Sequence, residues 1–442
     1  MNLYLFNDND SAAIYGIGTY LNELTHALKG SDIHIHIVHL HSVRHEFEIV
    51  KTDGIEHWYI PELQNQNTFS APVLKVEEYC LNVFHLLRLQ IKDTKDLIFH
   101  FNFNLYQLLA KELKTFFNCK TVTTIHFMKW ALELQGNLSR FHAIKKKPED
   151  KRTAYEQILC KTDEYEKLLY KEVDKVIVLS KYTKSLLCRE YRINPDKITL
   201  IPNGLQDINP AMETDRIVLR RKWGISENEI LILFCGRING VKGVGFLISA
   251  FKDVLNKNPH CRLMIAGDGD HKTYLTACDD ISDFVTWTGF LNKDRLCELY
   301  SIADIGVIPS FHEQCSYVAI EMMRHKLPII GSTSTGLKEM IVDGDTGQHI
   351  RVIEYNDKSV FDSTLLSEKI LHLIENADEW QRMGQKTRKR FEVQYSMDLF
   401  RTKMLFLYQS LFEENNMFKK QETYNSERPQ MLNKNKIMLN FV

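Results

Sequence analysis

Two carboxylates eight residues apart, Glu313 and Glu321, bracket the segment Glu313-Gln-Cys-Ser-Tyr-Val-Ala-Ile-Glu321. It follows the apolar run Ile305-Gly-Val-Ile-Pro309, which reads as a strand, and its second half reads as the start of a helix. A helix start offers unbonded backbone N–H groups and a partial positive charge, which suit a phosphate. Carboxylates repel phosphate but accept hydrogen bonds from vicinal hydroxyls. The spacing therefore predicts ribose at Glu321, phosphate at the amides of Ser316, Tyr317 and Val318, and sugar hydroxyls at Glu313. Upstream, Phe234-Cys-Gly-Arg-Ile-Asn-Gly-Val-Lys-Gly243 places Gly236, Arg237 and Lys242 in a loop between a strand and a helix. A guanidinium that forks across two oxygens and an ammonium acting as a point charge would together stabilise a departing diphosphate. The plainer readings are a charged turn, a solvated loop acid and an ordinary helix Glu. Against them, Glu321 stands inside the apolar run Tyr317–Met323, where an unpaired acid is costly.

Other candidates are weaker alone. Ala266-Gly-Asp-Gly-Asp270 has a metal-like Asp-x-Asp spacing, as do Asp8–Asp10 and Asp343–Asp345. Such triplets usually serve turns, so no metal site is expected and Gly267 is read as part of a turn bordering the cleft. In Gly331-Ser-Thr-Ser-Thr-Gly336 the hydroxyls either meet the nucleotide or cap a helix through Thr335. Gly16 and Gly18 precede a helix and form a short anion nest. Thr123-Thr-Ile-His126 ends a strand with a His facing the expected cleft, a group that would contact the donor sugar. The basic, aromatic stretch Arg140-Phe-His-Ala-Ile-Lys-Lys-Lys147 reads first as a solvated flexible loop, and second as a contact for an anionic acceptor or lipid.

Short apolar strands alternating with amphipathic segments must position these groups. Strands are expected at 3–6, 33–38, 97–101, 121–125, 176–179 and 198–201, then at 230–235, 262–266, 285–287, 305–309 and 329–331. Helices are expected at 17–28, 245–255, 293–301 and 316–324, with one or two more over 387–412. This predicts an α/β chain of two doubly wound domains, 1–208 on the acceptor side and 209–395 on the donor side, with a linker near 207–215. A helix over 396–414 packs back on the first domain, and 415–442 is a polar, mobile tail. A length of 442 residues suits two cores, and a net charge of -1 argues against a nucleic-acid partner. Nine scattered Cys, without C-x-x-C pairs, read as reduced thiols. With no signal-like start and no 20-residue apolar run, the expected place is cytoplasmic, with peripheral contact at the inner membrane face left open.

These residues resemble the retaining glycosyltransferases of family 4, the group 1 glycosyltransferases. The resemblance covers most of the chain. It rests on the Gly236–Gly243 loop and Glu313–Glu321, with support from Gly16–Gly18, Ile201-Pro-Asn-Gly204 and Ser301–Ser310. It implies a GT-B fold, two Rossmann-like domains facing a central cleft. It also implies metal-independent transfer of a hexosyl-type sugar from a nucleoside-diphosphate sugar, with retention and without a further cofactor. Arg237, Lys242, Glu313 and His126 would be the catalytic set. Gly16, Gly18, Gly236, Gly267, Ser316, Tyr317, Val318 and Glu321 would bind donor, and the acceptor would be a glycan, a lipid-linked glycan or a peptide. The chain departs from the family in the first turn, Tyr15-Gly-Ile-Gly18, and at Cys315-Ser316, where many members carry Phe-Gly. The rival readings are a nucleotide-sugar epimerase of the same architecture and an inactive donor-binding subunit.

Overall fold

The computed structural model describes residues 1–8, 16–62, 72–92, 95–207 and 215–413. In the first half, eight strands form one sheet: β1 (Asn2–Asn7), β2 (His34–Ser42), β3 (Glu48–Thr52), β4 (Ile55–Pro61), β5 (Leu97–Phe101), β6 (Cys119–Ile125), β7 (Lys175–Val178) and β8 (Ile198–Leu200). Their order is β3-β4-β2-β1-β5-β6-β7-β8, and every pairing is parallel except β3 with β4. The second half repeats the plan with β9 (Ile230–Cys235), β10 (Cys261–Ala266), β11 (Val285–Gly289), β12 (Ile305–Ile308), β13 (Ile329–Ser332) and β14 (Gly347–Ile350). Here the order is β11-β10-β9-β12-β13-β14, all parallel. A two-stranded hairpin, β15 (Val352–Glu354) with β16 (Ser359–Phe361), completes the strands.

Parallel strands covered on both faces need apolar residues throughout. β5 and β12 accordingly have every residue buried. In each sheet the strand order reverses once, between β1 and β5 and between β9 and β12. Such reversals open a crevice at the strands' C-terminal ends, where ligands of this architecture bind. The expected strands all form, with small shifts at their ends. β3, β4, β14, β15 and β16 are additions that the sequence reading missed.

After the helix Ala377–Arg390 and a π-helical turn Phe391–Tyr395, the chain is helical again over 397–413. Met404, Leu407, Tyr408 and Leu411 of this last helix share one apolar core with Leu3, Leu5 and Leu24 of the first half and Leu231 and Leu233 of the second. The Leu205 N–H donates to Tyr395 O at 2.9 Å, so the two passages between the halves run side by side. A Cβ on Gly204 would come within 2.2 Å of the Phe400 Cβ, which is why no side chain fits there. The expected linker lies mostly at 208–214, and the expected tail at 415–442; both are outside the described residues.

His100 shows how the last helix is fixed. It lies fully buried in β5, its pKa pushed down to about 3 by burial, and is therefore neutral. Its Nδ1 meets the Tyr408 hydroxyl at 2.8 Å and its Nε2 the Thr124 hydroxyl at 2.7 Å. Tyr408→Phe leaves one ring nitrogen unmet in the core. It should cost about 1–3 kcal/mol, read as a lowered urea midpoint at unchanged secondary structure.

Candidate functional site

The loops after β9 and β12 meet at the reversal of the second sheet. Gly236 (φ 138°) turns the chain out of β9, and Gly243 (φ 70°) opens the helix Val244–Lys257. A Cβ on Gly243 would sit 2.0 Å from Pro309 O, so only glycine lets the two loops touch. The Phe311 N–H then donates to Val241 O at 2.8 Å, and Asn239 Oδ1 accepts from the Lys242 N–H at 3.2 Å. Held this way, Lys242 Nζ reaches Glu313 Oε1 at 2.5 Å, with side chains 20% and 12% exposed. Two groups assigned separately to phosphate and sugar thus form one ion pair. Arg237 is exposed on the same turn.

The Glu313 backbone is clamped from β13's loop. Its N–H donates to Thr335 Oγ1 at 3.0 Å, its carbonyl accepts from Gly336 N–H at 2.8 Å, and the Thr335 hydroxyl also donates to that carbonyl. Thr335 has φ 24°, a left-handed value disfavoured for a β-branched residue. The Ser332 hydroxyl donates to Ser310 O at 2.5 Å. The hydroxyls of Gly331–Gly336 therefore shape the Glu313 loop. Thr335 is not the cap of the short helix Leu337–Met340, whose N-cap is Gly336.

The helix Tyr317–Arg324 begins after Ser316, whose Oγ accepts from the Ala319 N–H at 3.4 Å. Of the three amides expected to face phosphate, that of Ser316 points at Met340 Sδ, 3.2 Å away. Those of Tyr317 and Val318 remain without an intrahelical partner. Glu321 accepts from the Tyr300 hydroxyl at 2.8 Å. Burial raises its pKa, while Tyr300, Arg324 and Lys293 oppose the rise. Lys293 also reaches Glu23 of the first domain at 3.4 Å.

Gly267 packs directly against the loop after β9. A Cβ there would meet Gly236 O at 1.8 Å, so it joins the loops after β9 and β10. The Ile238 N–H to Asp268 O bond (2.8 Å) and the Asp270 N–H to Ile238 O bond (2.9 Å) extend that seam. Asp268 accepts from the Gly269 N–H, and Asp270 caps the helix His271–Thr276. Gly16 and Gly18 lie within the first turn of the helix Gly16–Leu28, not in the loop before it, and 9–15 are outside the described residues.

In the first domain His126 follows β6. The Asn102 Nδ2 donates to Phe6 O at 3.2 Å, which turns Asn102 Oδ1 toward His126 Nε2 at 3.0 Å. Nε2 therefore carries the proton, leaving Nδ1 as an acceptor. Burial pushes the pKa of His126 down to about 3. Arg140–Lys147 is not a flexible loop. Most of it is the helix Leu138–Lys146, with Phe141 stacked on Trp130 at 4.7 Å and Lys145 paired to buried Asp163 at 2.8 Å.

Several residues that sequence reasoning missed join the domains at this site. The Asn203 Nδ2 donates to Cys315 O at 2.7 Å. Gln314 Oε1 accepts from the Ser180 hydroxyl at 3.2 Å and from that of Thr183. The Glu339 carboxylate accepts the Lys181 and Tyr182 N–H groups at 2.8 and 2.5 Å, capping a first-domain helix from the second domain. Asn203 stood in the Ile201–Gly204 motif. The other contacts carry no local signal.

Residues 14–207 match the family described as Glycosyltransferase Family 4, and residues 215–390 match Glycosyl transferases group 1. The chain is 37% identical over 174 residues to an uncharacterized glycosyltransferase of Methanocaldococcus jannaschii, covering 38% of this chain and 44% of that one. It spans about half the length of the curated relatives it matches. Among solved structures, the fold is similar to sucrose-phosphate synthase of Thermosynechococcus elongatus, with a TM-score of 0.72, 19% identity and coverage of 93% and 99%. It is also similar to HepE of Anabaena in complex with UDP-glucose, with a TM-score of 0.66, 13% identity and coverage of 93% and 100%. With both halves matched in sequence and both sheets matched in fold, the chain belongs to the group 1 glycosyltransferases of GT-B architecture.

Proposed function

We propose that this protein transfers a hexosyl-type sugar from a nucleoside-diphosphate sugar to an acceptor hydroxyl, with retention of configuration. The observation that carries the reading is the Lys242–Glu313 pair at the sheet reversal, beside the start of the helix that bears Glu321. Glu321 takes the ribose hydroxyls. The Tyr317 and Val318 amides, with Arg237 and Lys242, take the diphosphate. Glu313 takes hydroxyls of the transferred sugar, so its 2.5 Å pairing with Lys242 marks the junction between sugar and phosphate. His126 Nδ1, the ring's unprotonated nitrogen, suits a further sugar hydroxyl. The UDP-glucose in the Anabaena neighbour supports a donor of this class.

The reaction this arrangement favours is a front-face displacement. The bond from anomeric carbon to phosphate oxygen breaks as the bond to the acceptor oxygen forms on the same face. The acceptor's proton passes to the departing phosphate oxygen. Positioning and charge stabilisation supply the rate, and Arg237 and Lys242 meet the charge on the leaving group. The nucleotide sugar is the co-substrate, and the reading calls on no cofactor or metal. Glycan, lipid-linked and peptide acceptors all fit its chemistry. No helix among the described residues is long and apolar enough to cross a membrane.

Arg237→Ala should lower kcat/KM by roughly 2–4 kcal/mol in transition-state terms, with the secondary structure unchanged. Glu321→Ala should instead weaken donor binding, by roughly 1.5–3 kcal/mol in calorimetry. Native-like kinetics in both variants would sink the assignment.

The pH dependence has a definite sign. Ribose binding needs Glu321 ionised, and burial raises its pKa above the ordinary 4.5. Donor affinity should therefore fall on acidification, with a midpoint above the usual carboxylate range. His126 (about 3) and His312 (about 4) are already neutral there and add nothing to this limb. In Glu321→Gln the limb should vanish; its persistence would show that another group titrates.

A further inference from the structure

His312 stands between Phe311 and Glu313 and is 4% exposed. Among the described residues neither Nδ1 nor Nε2 has a hydrogen-bond partner. The backbone on both sides of it is fixed. The Phe311 ring stacks on Phe361 at 4.2 Å in the second domain's core. The Phe311 carbonyl faces Gly136 of the first domain, where a Cβ would come within 2.8 Å of it. On the other side, the Glu313 backbone is clamped by Thr335 and Gly336. The imidazole thus springs from backbone fixed on both sides, and the charges of both Glu313 and Lys242 act on it.

A neutral imidazole has one N–H donor and one lone-pair acceptor, and burying both unmet is costly. A ligand that supplies both would satisfy it. A phosphate offers acceptors only and an ammonium donors only. A hydroxyl offers both, and the Lys242–Glu313 pair already marks where the donor's sugar lies in the reading above.

We infer that His312 is a specificity-determining residue of the donor site, reading a hydroxyl of the transferred sugar next to the one that Glu313 accepts. This rests on the glycosyltransferase reading and extends it to a residue outside the Glu313–Glu321 motif.

The test uses the full chain and calorimetry with UDP, GDP and ADP, each compared with its sugar conjugates UDP-glucose, UDP-galactose, GDP-mannose and ADP-glucose. His312→Phe removes both nitrogens, and His312→Gln restores one donor and one acceptor. His312→Phe should bind the preferred free diphosphate within about twofold of wild type but bind its sugar conjugate about tenfold more weakly. It should also narrow the preference between sugars differing at one hydroxyl, and His312→Gln should regain part of both effects. The ratio of conjugate to free-diphosphate affinity is taken within each variant, so a fold defect that weakens both alike cancels. An unchanged ratio in His312→Phe overturns the inference while leaving the donor site intact. A wild-type protein that binds no diphosphate, or binds one equally well after Arg237→Ala, overturns the underlying reading and this inference with it.

Discussion

The contact on which the site depends is between backbones. Val241 and Phe311 join the loops after β9 and β12, and Gly243 lets the chain pass beneath Pro309. Nothing larger than hydrogen fits at that crossing. Because the loops are fused, Lys242 and Glu313 are set by geometry fixed before any ligand arrives. A preset arrangement of charge needs little reorganisation during reaction. The ion pair itself, partly buried, is weak evidence for stability. Its structural meaning is positional: it keeps a cation and an anion at the place where a ligand must change from phosphate to sugar.

Two further loops brace this crossing. Gly267 presses against Gly236, so the β10 loop supports the β9 loop. Thr335, at an unfavourable φ, and Gly336 grip Glu313 from the β13 loop. A strained, β-branched residue persists only where its surroundings over-determine it. Here two hydrogen bonds to Glu313 and the close approach of Gly336 to Gln314 O provide that constraint.

The central strands were legible because they are short, apolar and repeated, from Leu3–Phe6 to Ile329–Gly331. Residues with both unusual chemistry and fixed spacing, Arg237, Lys242, Glu313 and Glu321, were also legible, and the fold gathers their loops around one sheet reversal. The edges were not. β3 is a solvent-facing strand with mixed charge, and β14 is only Gly347–Ile350, so neither stands out from a turn. Glycine contacts were hidden where the partner is distant in sequence. Nothing local reveals that Gly236 O lies against Gly267. The Arg140–Lys147 stretch looked like a loop because its apolar partners, Trp130 among them, lie beyond a helical turn. His312 and Gln314 passed unnoticed for a related reason: their significance lies in burial, which one chain's spacing does not report.

The same segment that carries Glu313 also ties the two domains together. Gln314 is held by Ser180 and Thr183, and Cys315 O by Asn203, all from the first domain. Glu339, one turn beyond the Thr335 clamp, caps the first-domain helix Lys181–Arg189. Between Glu313 and Ser316 the chain therefore has its side chains or carbonyls engaged from both sides of the cleft. A ligand gripping Glu313 and the Tyr317 and Val318 amides must act on a segment whose intervening residues belong to the interdomain contact. Any shift of that segment changes hydrogen bonds to both domains together. A donor bound as proposed would bear on the same segment as the interdomain contact. The interdomain residues Gln314 and Cys315 sit directly between Glu313 and the start of the helix Tyr317–Arg324.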